Sequence, residues 1–170
     1  MTTTMIEALI GEFRQEARTT GRVLGKVPAE QLTWKPHPKS LSLGQLALHI
    51  ATVPGAAAKM LQKDEHEVTP AAFRFQDPHG IEEIRSTFEQ SVKDAETFLC
   101  GLSEQQAAGN FTLKAGGRTI FTQPRLGVVR MIMLSHVYHH RGQLSVYLRL
   151  LNVPVPSIYG PSADDNPFAT

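Results

Sequence analysis

Apolar residues recur along this chain at the three-and-four spacing of helices in four separate stretches. In the first, Ile6, Ile10, Phe13, Ala17, Thr20, Leu24 and Val27 share one face. Thr4 followed by Glu7 has the form of a capping box, and Pro28 supplies a stop. The second begins after Ser42, whose capping-box partner is Gln45, and carries Leu46, Ile50, Val53, Ala57 and then Met60 or Leu61. Pro54 lies inside it, removes a backbone donor, and predicts a kink or break near Ile50. A third seam runs through Ile81, Ile84, Phe88, Val92, Ala95, Leu99 and Leu102, with Gly101 suited to a helix end. The last helix starts near Pro124 and runs to about Leu151, before Asn152, Pro154 and Pro156.

The punctuation between these stretches is uneven. Trp34, Pro36 and Pro38 make the first connection too proline-dense for a regular element. Residues 62–80 form a polar crossover longer than most helix–helix connections. In residues 111–121, Phe111, Leu113, Ile120 and Phe121 flank Ala115, Gly116, Gly117 and Arg118, which reads as a short hairpin or an ordered loop. Four amphipathic helices with little strand signal predict an all-α four-helix bundle, one domain over residues 1–170.

Composition narrows the function classes. Of 170 residues, 41% are hydrophobic and 19% charged, which fits a folded globular chain. Seventeen Lys and Arg against sixteen Asp and Glu leave a net charge of +1, with no electrostatic case for nucleic acid or an anionic membrane as partner. No apolar run is long enough to span a membrane. Glu7, Glu12 and Arg14 interrupt any secretory pattern, and a lone Cys100 allows no internal disulfide. The expected location is the cytoplasm.

Seven histidines carry the candidate chemistry: His37, His49, His66, His79, His136, His139 and His140. At about 100° per residue, Val129, Ile132, His136, His140, Gln143 and Tyr147 fall on one stripe of the last helix, which is expected to face the bundle interior. His136 and His140 stand one turn apart, a spacing that lets two imidazoles share one metal ion. His139 points roughly 60° off that stripe and is the weaker candidate, suited to the flank or a subunit contact. His49 lies in the apolar arc of the second helix beside Leu46 and Val53. If those helices face each other, His49, His136 and His140 converge. Three neutral imidazoles leave a coordination position open, as catalytic sites do, and nitrogen ligands suit zinc or nickel. The plain alternative is a set of hydrogen-bonded core histidines, and no HExxH glutamate supplies a built-in base. Cys100 reads as helix-end packing, Trp34 as a lid on the core, and Arg141 and Arg149 as solvated or paired, with Arg141 placed to meet an anionic substrate group.

Three stretches together resemble a known family. Leu41-Ser-Leu-Gly-Gln-Leu-Ala-Leu-His49-Ile-Ala, preceded by Leu32-Thr-Trp34-Lys-Pro36, resembles the second-helix region of the DinB-like (DinB/YfiT) superfamily. His136-Val-Tyr-His139-His140-Arg141-Gly142-Gln143-Leu144 resembles its last-helix motif, and the tail from Pro156 to Asp164 is similar too. The resemblance implies an up-down-down-up bundle, a homodimer, and a divalent metal on His49, His136 and His140. It further implies a small-molecule enzyme of thiol S-transferase type, with a low-molecular-weight thiol as partner; in such a site Gln143 or Tyr147 is placed to orient the second ligand. The alternatives are a metal-dependent hydrolase, or a non-catalytic, stress-associated metal- or ligand-binding protein.

Overall fold

The first helix, α1 (Met5–Leu24), starts where its capping box places it. The Thr4 hydroxyl accepts from the Glu7 N–H, and the Glu7 carboxylate accepts from the Thr4 N–H at 2.8 Å. Ser42 and Gln45 close the same reciprocal pair at the head of α2 (Leu43–Leu61). Helix α3 (Ile81–Cys100) ends at Gly101, and a short α4 (Glu104–Ala108) follows behind a third capping box, Ser103 with Gln106. These bounds come from a computed structural model that describes residues 4–169.

Helix α2 is not broken at Pro54. Pro54 supplies no N–H to the backbone ladder, and a side chain from α3 bonds to the backbone on either side of it. Ser91, buried, accepts the Gly55 N–H at 2.7 Å and donates to the Thr52 carbonyl at 3.3 Å. Gly55 allows the approach, because a Cβ there would lie 3.0 Å from the Ser91 Cα. The proline therefore marks where α2 and α3 cross closely.

The last long helix is a composite. Helix α5 (Arg125–Val128) passes into a π-helical segment (Val129–Ser135) and then α6 (His136–Leu150). Helix α1 touches α3 and α6, and α2 touches the same two. Their buried faces form one cluster around Val23, Ile50, Ile84 and Leu144, and a second around Phe13, Leu61, Leu99 and Met133. Burying each such side chain contributes about 1.5–3 kcal/mol, so the core needs no covalent staple.

The chain is mostly helical rather than all-α. Strands β1 (Glu65–Val68), β2 (Asn110–Ala115) and β3 (Arg118–Pro124) form a sheet in the order β1-β2-β3. Strands β2 and β3 are the antiparallel hairpin, turned by Gly116 and Gly117 at φ +57° and +73°, a left-handed pair that glycine adopts without strain. Strand β1 comes from the crossover and pairs parallel to β2, with Glu65 opposite Thr112 and Val68 opposite Ala115. Its sequence, Glu-His-Glu-Val, carries too little apolar alternation to announce a strand. Arg125 ties the sheet to the helices. Its buried guanidinium donates to the carbonyls of Leu61, Lys63 and Gln106 and pairs with Asp64 at 2.6 Å. Among the described residues, no helix is long and apolar enough to cross a membrane.

Candidate metal centre

His49 projects from the middle of α2 towards the first turn of α6, where His136 and His140 stack. The Nε2 of His49 lies 2.9 Å from that of His136, which lies 3.0 Å from the Nε2 of His140. One ligand nitrogen from each ring falls within 4.8 Å of the other two, and among the described residues these three alone form such a cluster. Metal–nitrogen bonds of about 2.0–2.1 Å place neighbouring ligand nitrogens roughly 3 Å apart. The donor set and its spacing thus fit one borderline divalent ion. His37, His66 and His79 stand elsewhere: His37 accepts the Lys39 N–H, His66 sits on β1 opposite Leu113, and His79 is exposed on the crossover.

The face carrying the pair differs from the expectation. The core stripe of α6 is Val137, Arg141, Leu144 and Leu148, while His49 and His140 are only half-buried. The cause is the π-helical segment, whose wider turns rotate α6 relative to the residues before it. The histidines therefore line an open rim of the helical body rather than its interior.

Arg141 occupies the core position next to them. It is 1% exposed, pairs with Glu16 at 2.7 Å, and donates to the Thr20 hydroxyl at 3.0 Å and to the Tyr159 hydroxyl. It holds α6 to α1 and the C-terminal tail, with its guanidinium committed to that side and not to an anionic ligand. Arg149 pairs with Asp164. Cys100 is exposed, not packed.

The crossover builds a wall that sequence reasoning missed. Phe75 stands edge-on to the His49 ring, centroids 5.1 Å apart, and remains 41% exposed. Two neighbouring features pin it. Pro78 packs so closely on Gly44 that a Cβ there would meet it at 2.9 Å, and the His79 N–H donates to Glu83 at 2.6 Å. Nothing in a polar, aperiodic stretch announced this; two Phe residues, Phe73 and Phe75, in a long polar connection were the available signal.

Electrostatics keep the rings neutral. Burial, reinforced by repulsion from His140 and His136, lowers the His49 pKa to about 4. Burial also pulls His136 and His140 below the ordinary histidine value, with the hydrogen bond that His140 donates to the Gln143 amide oxygen opposing part of the effect at His140. Neutral imidazole is the ligating form, so the same environment that disfavours protonation prepares the nitrogens for a cation. The other two residues considered for a bound ligand are engaged already. Gln143 bridges His140 and His139, and the Tyr147 hydroxyl donates to the Leu41 carbonyl at 3.3 Å while its ring meets Trp34 edge-on.

Comparison with known proteins agrees with this architecture. The protein YrdA of Bacillus subtilis (strain 168), itself uncharacterized, is 25% identical over 160 residues, covering 94% of this chain and 91% of its own. A DinB-like protein from Bacillus cereus ATCC 10987 superposes with a TM-score of 0.71 at 21% identity, over 94% of this chain and all of the other. The DinB-like protein YjoA of Bacillus subtilis gives 0.66 at 18% identity, over 85% and 92%. The sequence model of the DinB family matches residues 1–167, and with that span covered the chain belongs to the DinB family.

Proposed function

We propose that this protein holds one divalent ion, zinc or nickel, on His49, His136 and His140 and uses it in small-molecule chemistry of the thiol S-transferase type. The observation that carries the reading is the convergence of three imidazole nitrogens at an open rim, with no carboxylate in the cluster among the described residues. Such a ligand set leaves a dication uncompensated and favours an anionic partner such as a thiolate. When bound, the ion supplies Lewis acidity that lowers the pKa of a thiol or water at its open position. The protein's own groups hold the ion, keep their nitrogens unprotonated, and present the Phe75 ring as an apolar side of the site. The same reading takes the chain as one up-down-down-up bundle domain acting as a cytoplasmic homodimer. Sedimentation that gives only the single-chain species at micromolar concentration removes the dimer.

The test of activity is a zinc- or nickel-loaded sample assayed against a panel of low-molecular-weight thiols and electrophiles. Turnover that needs both metal and thiol is the expected result. Turnover without thiol moves the assignment to hydrolysis, and no turnover in any arm contradicts a catalytic role and leaves a metal- or ligand-binding protein.

A further inference from the structure

Gln143 touches two histidines at once. Its Oε1 lies 2.8 Å from the Nδ1 of His140, and its Nε2 lies 3.1 Å from the Nε2 of His139. A carboxamide has one accepting end and one donating end, so these contacts are not independent. With Oε1 facing His140, the Nδ1 of that ring carries the proton and donates it. The Nε2 of His140 is then a bare lone pair, directed at His136 3.0 Å away. Reversing the amide presents an N–H to Nδ1, moves the ring proton to Nε2, and closes the atom that converges with His49 and His136. In the first orientation the amide nitrogen donates to the Nε2 of His139, 3.1 Å away, so one rotamer of the amide serves both rings.

We infer that Gln143 is a positioning residue that fixes His140 in the tautomer with a free Nε2, and that His139 fixes Gln143. The inference rests on the metal reading above and gives His139 a place in the site without making it a ligand. It also accounts for two exposed polar residues, His139 and Gln143, on one face of α6 beside the cluster. Outer partners of this kind set the orientation and basicity of ligating histidines, and their loss lowers metal affinity by roughly 10–100-fold.

The test pairs nitrogen NMR of the His140 ring in metal-free protein with zinc competition titrations, for wild type, Gln143→Leu, Gln143→Glu and His139→Ala. Gln143 is exposed, so its variants are expected to fold, and circular dichroism checks that. In wild type the proton is expected on Nδ1. Gln143→Leu shifts it towards Nε2 and weakens zinc binding by about tenfold or more. Gln143→Glu keeps an acceptor for the same proton and restores zinc affinity to near wild type, while His139→Ala gives a smaller loss than Gln143→Leu. A wild-type proton on Nε2, unchanged zinc affinity in Gln143→Leu, or Gln143→Glu as weak as Gln143→Leu overturns the inference. If wild type fails to bind zinc while Gln143→Leu still moves the His140 proton, the metal reading fails and the assignment of Gln143 stands.

Discussion

His49 and His136, 87 positions apart in the chain, meet Nε2 to Nε2 at 2.9 Å. A contact that short between neutral imidazoles has room for one proton, so at least one of the two nitrogens is a bare lone pair, and a third ring adds His140 at 3.0 Å from His136. A cluster with so few protons among its nitrogens is built for a cation, and protonating it sets rings of like charge against each other.

Acid should therefore destabilise the metal-free protein. His49 has a folded pKa of about 4, below the unfolded 6.5, and His136 and His140 are lowered as well. The unfolded chain binds more protons in that window, so the stability these groups allow is present above pH 6.5 and is lost as pH falls towards 4. Melting curves of metal-free wild type and His49→Ala across that range should show the steeper decline in wild type. Parallel curves contradict the assignment.

Removing the aromatic wall should release His49. Phe75→Ala exposes the ring that it abuts, so the His49 pKa should rise from about 4 towards 6.5 while the protein stays folded. An NMR titration of His49 reads this directly, and an unmoved pKa means that Phe75 does not shield the site.

Arg141 should matter to stability and not to metal. Arg141→Met leaves Glu16 without its buried partner, which costs about 3–5 kcal/mol. Urea unfolding should show that loss, with metal loading retained in the folded protein. A stable variant that no longer binds metal reverses the roles.

Ser91→Ala should be more damaging than a surface-sized change suggests. It removes the side-chain acceptor of the Gly55 N–H beside Pro54, and a buried donor left without a partner costs about 1–3 kcal/mol. Stability within about 0.5 kcal/mol of wild type would mean that the α2 ladder closes without help from α3.

How far the sequence reaches follows from how local each interaction is. The capping boxes at Thr4 and Ser42 span three residues and were legible as written. The glycine turn at Gly116 and Gly117 was legible as a possibility, because left-handed backbone has few hosts. The convergence of His49, His136 and His140 followed from helix spacing and family resemblance together. The face they occupy did not, because Val-Arg-Met-Ile-Met-Leu-Ser reads like any apolar helix and its π-helical winding leaves no mark in composition. The burial of Arg141 was equally hidden, since Glu16 lies 125 positions away. Strand β1 is specified by its register against β2, not by its own four residues.

The most direct test is elemental analysis of purified, reconstituted protein beside its four single variants. The account predicts one zinc or nickel per chain for wild type and His139→Ala, and strongly reduced loading for His49→Ala, His136→Ala and His140→Ala. Added metal should raise the melting temperature only where loading persists, since a ligand that binds only the folded state stabilises it by mass action. Wild-type loading below about a tenth of an ion per chain contradicts the account, as does normal loading of His140→Ala beside its abolition in His139→Ala.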